Sequence, residues 1–187
     1  MEILLYLQNH SRPELMFAVS QCARYTYCSK LSHKKVLKRI GRYLKGTRTK
    51  GLIMKPNNDL NIDCHVDSNF ADLWRYEDDQ DPTCVRSRTW YIISIDGCPV
   101  LWSSKLQTET ALSTMEAEYI ALSTYLKKLI PLNCLVESVW NAVRLDINEL
   151  ITIKANLWED NQGCTILANM EPPRMTPRSK HYAIEYH

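Results

Sequence analysis

"LSTMEAEYIAL", residues 112–122, carries two glutamates two positions apart at the head of an apolar run with helical spacing. Ser113 followed three residues later by Glu116 has the pattern of a capping box. In that motif the serine oxygen accepts the amide three residues on, and the glutamate reaches back to the cap amide. With ~100° per residue and Glu118 at the origin, Leu122 falls at roughly 40°, Met115 at roughly 60° and Tyr125 at about −20°. Leu129 falls at about 20°, Leu126 at about 80° and Glu116 at about 160°. The spacing predicts that Glu116 points outward and caps the helix, whereas Glu118 lies inside the apolar stripe. A carboxylate in such a stripe is costly unless it is paired, protonated or bound to a cation. Glu118 is therefore the first candidate functional residue.

Upstream, LNIDCHVDSNF (60–70) alternates, with Ile62, Cys64 and Val66 on one side and Asp63, His65 and Asp67 on the other, as a strand does. TWYIISID and PVLWSS, joined across Gly97-Cys98-Pro99, read as a hairpin rich in β-branched and aromatic residues. The acidic stretch YEDDQDPT (76–83) reads as a loop. Downstream, ELITIKANLWED (149–160) reads as a fourth strand, and DNQGCTILANM starts a short helix with Asp160 at the strand-to-helix junction. A proline-rich turn leads to a last strand, HYAIEYH. Three strands, helix, strand, helix, strand describe an α/β fold: a mixed sheet flanked by helices.

Asp67, Glu118 and Asp160 thus sit on a first strand, a first helix and the end of a fourth strand, where they can converge. Taken singly, each aspartate reads as a solvated or capping group. Together, oxygen-only ligands suit Mg²⁺ or Mn²⁺. A pair of such ions activates water and stabilises the leaving oxygen in phosphodiester cleavage.

The front of the chain has another character. From Leu15 to Asn58 there are eleven Lys or Arg and no acid, whereas from Asp59 to His187 nineteen acids face eleven bases. Arg12-Pro13-Glu14 opens one helix, and Ser32 to Leu44 fits a second, with Val36, Leu37, Ile40, Tyr43 and Leu44 as its apolar stripe and Gly46 placed to end it. Lys34, Lys35, Lys38, Arg39, Arg42 and Lys45 line its other faces. With no compensating acid nearby, they point to contact with a phosphate backbone; a solvated basic face is the alternative.

A chain of 187 residues with 45% hydrophobic and 24% charged residues has the make-up of a folded globular protein. Its longest apolar runs, such as ILLYL at 3–7, are too short to span a bilayer, so no membrane partner is expected. Seven cysteines without a CxxC pair read as unpaired thiols of a reducing, intracellular setting. The five histidines lack zinc-ligand spacing.

Four blocks of the sequence, HVDSNFADL (65–73), RSRTWYIISIDGCPVLWSSKLQTETALSTMEAEYIALS (86–123), WEDNQGCTILA (158–168) and RSKHYAIEYH (178–187), resemble the ribonuclease H domain of copia-type retrotransposon Pol polyproteins. LLYLQNHSRPELMFAVSQCARY (4–25) and HKKVLKRIGRYLKGTRTKGL (33–52) resemble the end of the reverse transcriptase region that precedes it. The resemblance implies a division into 1–55, the basic helical end of the reverse transcriptase region, and 59–187, a ribonuclease H-like domain. It implies Asp67, Glu118 and Asp160 as catalytic metal ligands, Mg²⁺ (or Mn²⁺) as cofactor, and the RNA strand of an RNA–DNA hybrid as substrate. The upstream reverse transcriptase region of the same polyprotein is the implied partner.

Three departures stand out. The family's second aspartate, two residues past the first, is Asn69 here, and its closing pattern becomes Lys180-His181-Tyr182-Ala183. A further strand and terminal helix carrying a fourth carboxylate would follow His187, so a C-terminally truncated domain is expected, with Glu185 a poor substitute. The alternative reading is a catalytically inactive nucleic-acid-binding remnant of such a polyprotein.

Overall fold

The computed structural model describes residues 1–57, 61–74, 81–143 and 153–170. Within them the elements run α1 (Glu2–His10), a 3₁₀ turn (Pro13–Leu15), α2 (Met16–Arg24) and α3 (Leu31–Gly46). There follow β1 (Ile62–Asn69), β2 (Arg88–Ile95), β3 (Cys98–Leu106), α4 (Thr114–Val143), β4 (Ala155–Trp158) and α5 (Gln162–Ala168). The four strands form one mixed sheet in the order β3-β2-β1-β4, antiparallel except for the parallel pair β1 and β4. This is the α/β arrangement expected of a ribonuclease H-like domain.

The β2–β3 turn is set by two residues. Asp96 and Gly97 both have positive φ, 53° and 77°, which a two-residue hairpin turn needs to match strand twist. A Cβ on Gly97 would also meet Asn57 Nδ2 at 2.7 Å. The turn therefore falls one residue earlier than expected, and Cys98 and Pro99 belong to β3. Pro99 is tolerated there because β3 is an edge strand among the described residues.

Alternation along β1 buries Ile62, Cys64 and Val66 against α4, where they pack with Tyr91 and Ile93 of β2 and with Ala121, Leu122, Tyr125 and Leu129. A separate cluster of Leu15, Val19, Cys22 and Ile40 holds the N-terminal helices together. That unit leans on β3 and the start of β2: Trp102 Nε1 donates to the Gln8 carbonyl at 2.6 Å, and the Arg88 guanidinium of β2 lies over the Phe17 ring at 5.2 Å. The run ILLYL belongs to helix α1. Of the segment 149–160, the four residues of β4 are strand, while Glu149 to Thr152 lie outside the described residues. The strand at 181–187, Glu185 and most of the loop at 76–83 lie outside them as well. None of the seven cysteines is in a disulfide, and no helix among the described residues is long and apolar enough to cross a membrane.

Candidate metal centre

The site lies at the C-terminal ends of the parallel pair β1 and β4, the place where open α/β sheets present their backbone ends and loops to a ligand. Asp67 comes from β1, on the face opposite α4. Its Oδ2 accepts the Trp90 indole N–H at 2.5 Å, from the residue directly across the β1–β2 ladder. Glu118 comes from the second turn of α4 and is 6% exposed. Asp160 follows β4 and is exposed. One carboxylate oxygen from each of Asp67, Glu118 and Asp160 lies within 4.8 Å of the others.

Two local features put Glu118 and Asp160 in place. Gln107, buried beyond the end of β3, donates through Nε2 to the Ala117 carbonyl at 2.8 Å and to Thr89 Oγ1 at 3.0 Å, with Ser68 Oγ at 3.3 Å. It thereby clamps the start of α4 to the ends of β1 and β2. At the other side Asn161, not Asp160, caps α5, its Oδ1 accepting the Cys164 amide at 2.9 Å. The neighbouring asparagine satisfies the helix end, and Asp160 is left to face the cluster. Gly163 lets α5 approach α4, since a Cβ there would meet Met115 Sδ at 3.3 Å.

The electrostatics of the cluster disfavour charge on its two glutamates. Burial, followed by the charges of Glu159, Asp67 and Asp160, pushes the Glu118 carboxyl up to about 8, opposed by a hydrogen bond from the Ser68 backbone. Its Oε2 is buried and has no hydrogen-bond partner among the described residues. Glu159 is also raised, chiefly by burial; its Oε1 accepts the Asn161 amide at 3.0 Å, and its Oε2 is buried without a partner among the described residues. Converging carboxylates with an orphaned oxygen fit a hard divalent cation bound through oxygen, which would replace the lost solvation.

Glu116 departs from expectation. It is buried, not outward-facing: its carboxylate folds back onto the segment that precedes α4, where Ala111 also packs against Ala117 and Ile120 of the helix. Ser113 Oγ accepts the Glu116 amide at 3.1 Å as expected, but Glu116 Oε2 takes the Leu112 amide at 2.6 Å instead of the cap amide. Glu116 still closes the helix start and stays out of the carboxylate cluster.

Asn69 is drawn away from the cluster, donating to Asp72 Oδ1 at 2.7 Å. Asp72 in turn holds Arg88 in a buried ion pair at 2.7 Å. Sequence reading missed Glu159, Gln107 and this pair. The string EDN at 159–161 carried a signal for Glu159, but only the fold shows that the residue is half-buried, with its Oε2 out of contact with water.

Lys34, Lys35, Lys38, Arg39, Arg42 and Lys45 are all exposed along α3. That helix packs on α2 through Ile40, Leu37 and Leu44, whereas Val36 and Tyr43 of the expected stripe stay more than one-third exposed. The six cations form a face of the helical unit, and the carboxylate cluster belongs to the sheet.

Among known proteins, the chain is 31% identical over 179 residues to the retrovirus-related Pol polyprotein from transposon RE1 of Arabidopsis thaliana, covering 95% of this chain and 11% of that polyprotein. It is 32% identical over 127 residues to the retrovirus-related Pol polyprotein from transposon TNT 1-94 of Nicotiana tabacum, covering 68% of this chain and 9% of that protein. A shorter relative, secreted RxLR effector protein 161 of Plasmopara viticola, is 31% identical over 141 residues, which are 75% of this chain and 87% of the effector. No protein-family model and no solved structure matches the chain.

Proposed function

The chain belongs to the copia-type retrotransposon Pol polyproteins, and we propose that its sheet domain is a ribonuclease H that cleaves the RNA strand of RNA–DNA hybrids. It spans about a tenth of the length of the Pol polyproteins it matches. In this reading residues 1–55 are the end of the reverse transcriptase region, and that region is the partner within the polyprotein. The observation that carries the reading is the meeting of Asp67, Glu118 and Asp160 within 4.8 Å, with one Glu118 oxygen buried and unpartnered among the described residues.

Asp67, Glu118 and Asp160 would hold Mg²⁺ or Mn²⁺, which when bound supplies activation of water and stabilisation of the leaving oxygen. The chain's own contribution is order. The Trp90 indole fixes the Asp67 carboxylate, the Ser68 backbone fixes Glu118, and the Asn161 cap releases Asp160. Glu159 keeps the local potential negative, which favours a cation over a free anion. The exposed cations of α3 would hold the backbone of an A-form heteroduplex by shape and charge, without reading sequence.

The test is cleavage of an end-labelled RNA–DNA hybrid with Mg²⁺, with chelator, and with Asp67→Asn. Cleavage only by the wild-type chain with metal is expected. An Asp67→Asn variant as active as wild type, or no cleavage at any metal concentration, would overturn the reading.

A further inference from the structure

The β1–β4 register places Trp158 beside His65, and the β1–β2 register places Trp90 beside Asp67, all on the sheet face opposite α4. His65 and Trp158 stack, with ring centroids 6.1 Å apart and planes 13° from parallel. Together with Asp67, Trp90, Glu159 and Asp160 they line a cleft of about 290 Å³. Trp158 is 57% exposed and Trp90 37%. Among the described residues β4 is an edge strand, so the exposed Trp158 ring has His65 of β1 stacked with it on one side and no neighbouring strand on the other.

We propose that Trp158, backed by His65, is a stacking platform for an unpaired nucleobase next to the carboxylate cluster. The inference rests on the nucleic-acid reading above and adds a preference that it does not contain: a hybrid with a single-stranded extension over a blunt one. Bases inside a duplex are already stacked and cannot lie on a protein ring, whereas an unpaired base has both faces free. The neighbouring row argues against an apolar protein segment as occupant. There Asp63 and Asn156 are joined by a hydrogen bond of 2.9 Å, and a greasy helix laid across the face would bury that pair. A nucleotide, with a flat apolar face and a polar rim, suits a surface that alternates rings with polar groups.

The experiment compares fluorescence anisotropy of a labelled blunt RNA–DNA hybrid with that of the same hybrid bearing a short RNA extension. Ca²⁺ replaces Mg²⁺, so that binding is read without cleavage. Wild-type chain is expected to bind the extended hybrid on the order of ten-fold more tightly, the usual worth of one stacked base. Trp158→Ala should reduce the ratio toward one, and Trp158→Phe, which keeps a ring, should retain most of it. As a measurement that needs no alanine variant, the extension should quench wild-type tryptophan emission, and Trp158→Phe should remove that quench. Equal affinity of wild type for both hybrids, or a preference undiminished in Trp158→Ala, would overturn the proposal. A chain that shows the preference but fails to cleave with Mg²⁺ would refute the ribonuclease reading and leave the platform standing.

Discussion

The helical unit and the end of the sheet handle charge in opposite ways. Along α3 six cations stand in water and pay no desolvation, so their influence is long-range and falls with salt. At the ends of β1 and β4 Glu118 and Glu159 are partly or wholly withdrawn from water beside Asp67 and Asp160, and each retains a buried oxygen without a partner among the described residues. The first arrangement costs almost nothing and, in the proposed reading, would give affinity without selectivity. The second is unfavourable in the isolated chain, and a bound cation would relieve it. A fold that maintains such a cluster at the edge of its core holds free energy in reserve for a ligand.

The largest effect that tests this contrast comes from Glu118→Gln. Cleavage should fall by more than about 100-fold, since even residues that merely orient metal ligands cost on the order of 10- to 100-fold. Stability should move the other way. Burial and the neighbouring charges lift Glu118 to about 8. Between the unfolded value near 4.5 and about 8 the folded chain therefore holds a proton that the unfolded chain has released. Stability of the metal-free protein should then decline as pH rises through that window, and the slope from this group should vanish below and above it. Mg²⁺ should raise the thermal midpoint most at the alkaline end, where the site is ionised. Glu118→Gln should remove much of the decline. A wild-type midpoint that does not change across this range with chelator present would show that the carboxylate is better solvated than its surroundings imply.

A smaller effect is expected on the other side of the comparison. Replacing Lys34, Lys38 and Arg42 together with Gln should leave thermal stability near that of wild type, because all three are exposed. The dependence of hybrid affinity on salt should flatten. Each lost phosphate contact takes about 0.7 to 0.9 from the log–log slope, so three give a change of roughly 2 to 3. An unchanged slope, measured by anisotropy over a salt series, would assign these charges to a merely solvated face.

Some of this was legible in the sequence, and the limits have physical causes. The strand period of 60–70 and the helical phase around Glu118 both follow from local geometry, so Asp67 and Glu118 were placed on their elements without a structure. The turn at Asp96-Gly97 was offset by one residue because the sign of φ, not the presence of Pro99, decides where a two-residue turn falls. Glu159, Gln107 and the Asp72–Arg88 pair were invisible for another reason. Each acquires its role from residues distant in the chain: Gln107 from Ser68 and Ala117, Arg88 from Asp72 and Phe17. Periodicity describes one element at a time and is silent on what a third element covers. Glu116 fell to the same blindness. Its angle on the wheel was right for a residue away from the sheet, yet the segment before α4 lies against the head of the helix, with the Leu112 amide on Glu116 and Ala111 on Ala117 and Ile120.

Glu116 also supplies the smallest and most discriminating prediction, because it stands two residues from Glu118 and is almost as buried. Burial alone would make the two acids equivalent. Their partners separate them: Glu116 Oε2 receives the Leu112 amide at 2.6 Å, whereas Glu118 Oε2 has no partner among the described residues. Glu116→Ala removes the acceptor from a helix end and should lower stability by about 1 kcal/mol, the usual cost of a lost cap. Glu116→Gln keeps an oxygen in place and should recover most of that loss. Neither change should alter the rise in thermal midpoint on adding Mg²⁺, since Glu116 offers no atom to the cluster. The measurement is a pair of melting curves, with and without Mg²⁺, for each variant. If Glu116→Gln abolished the Mg²⁺-induced rise as Glu118→Gln is expected to do, the division of labour between a capping and a metal-binding glutamate would fail. The cation would then have to be sought nearer the head of α4.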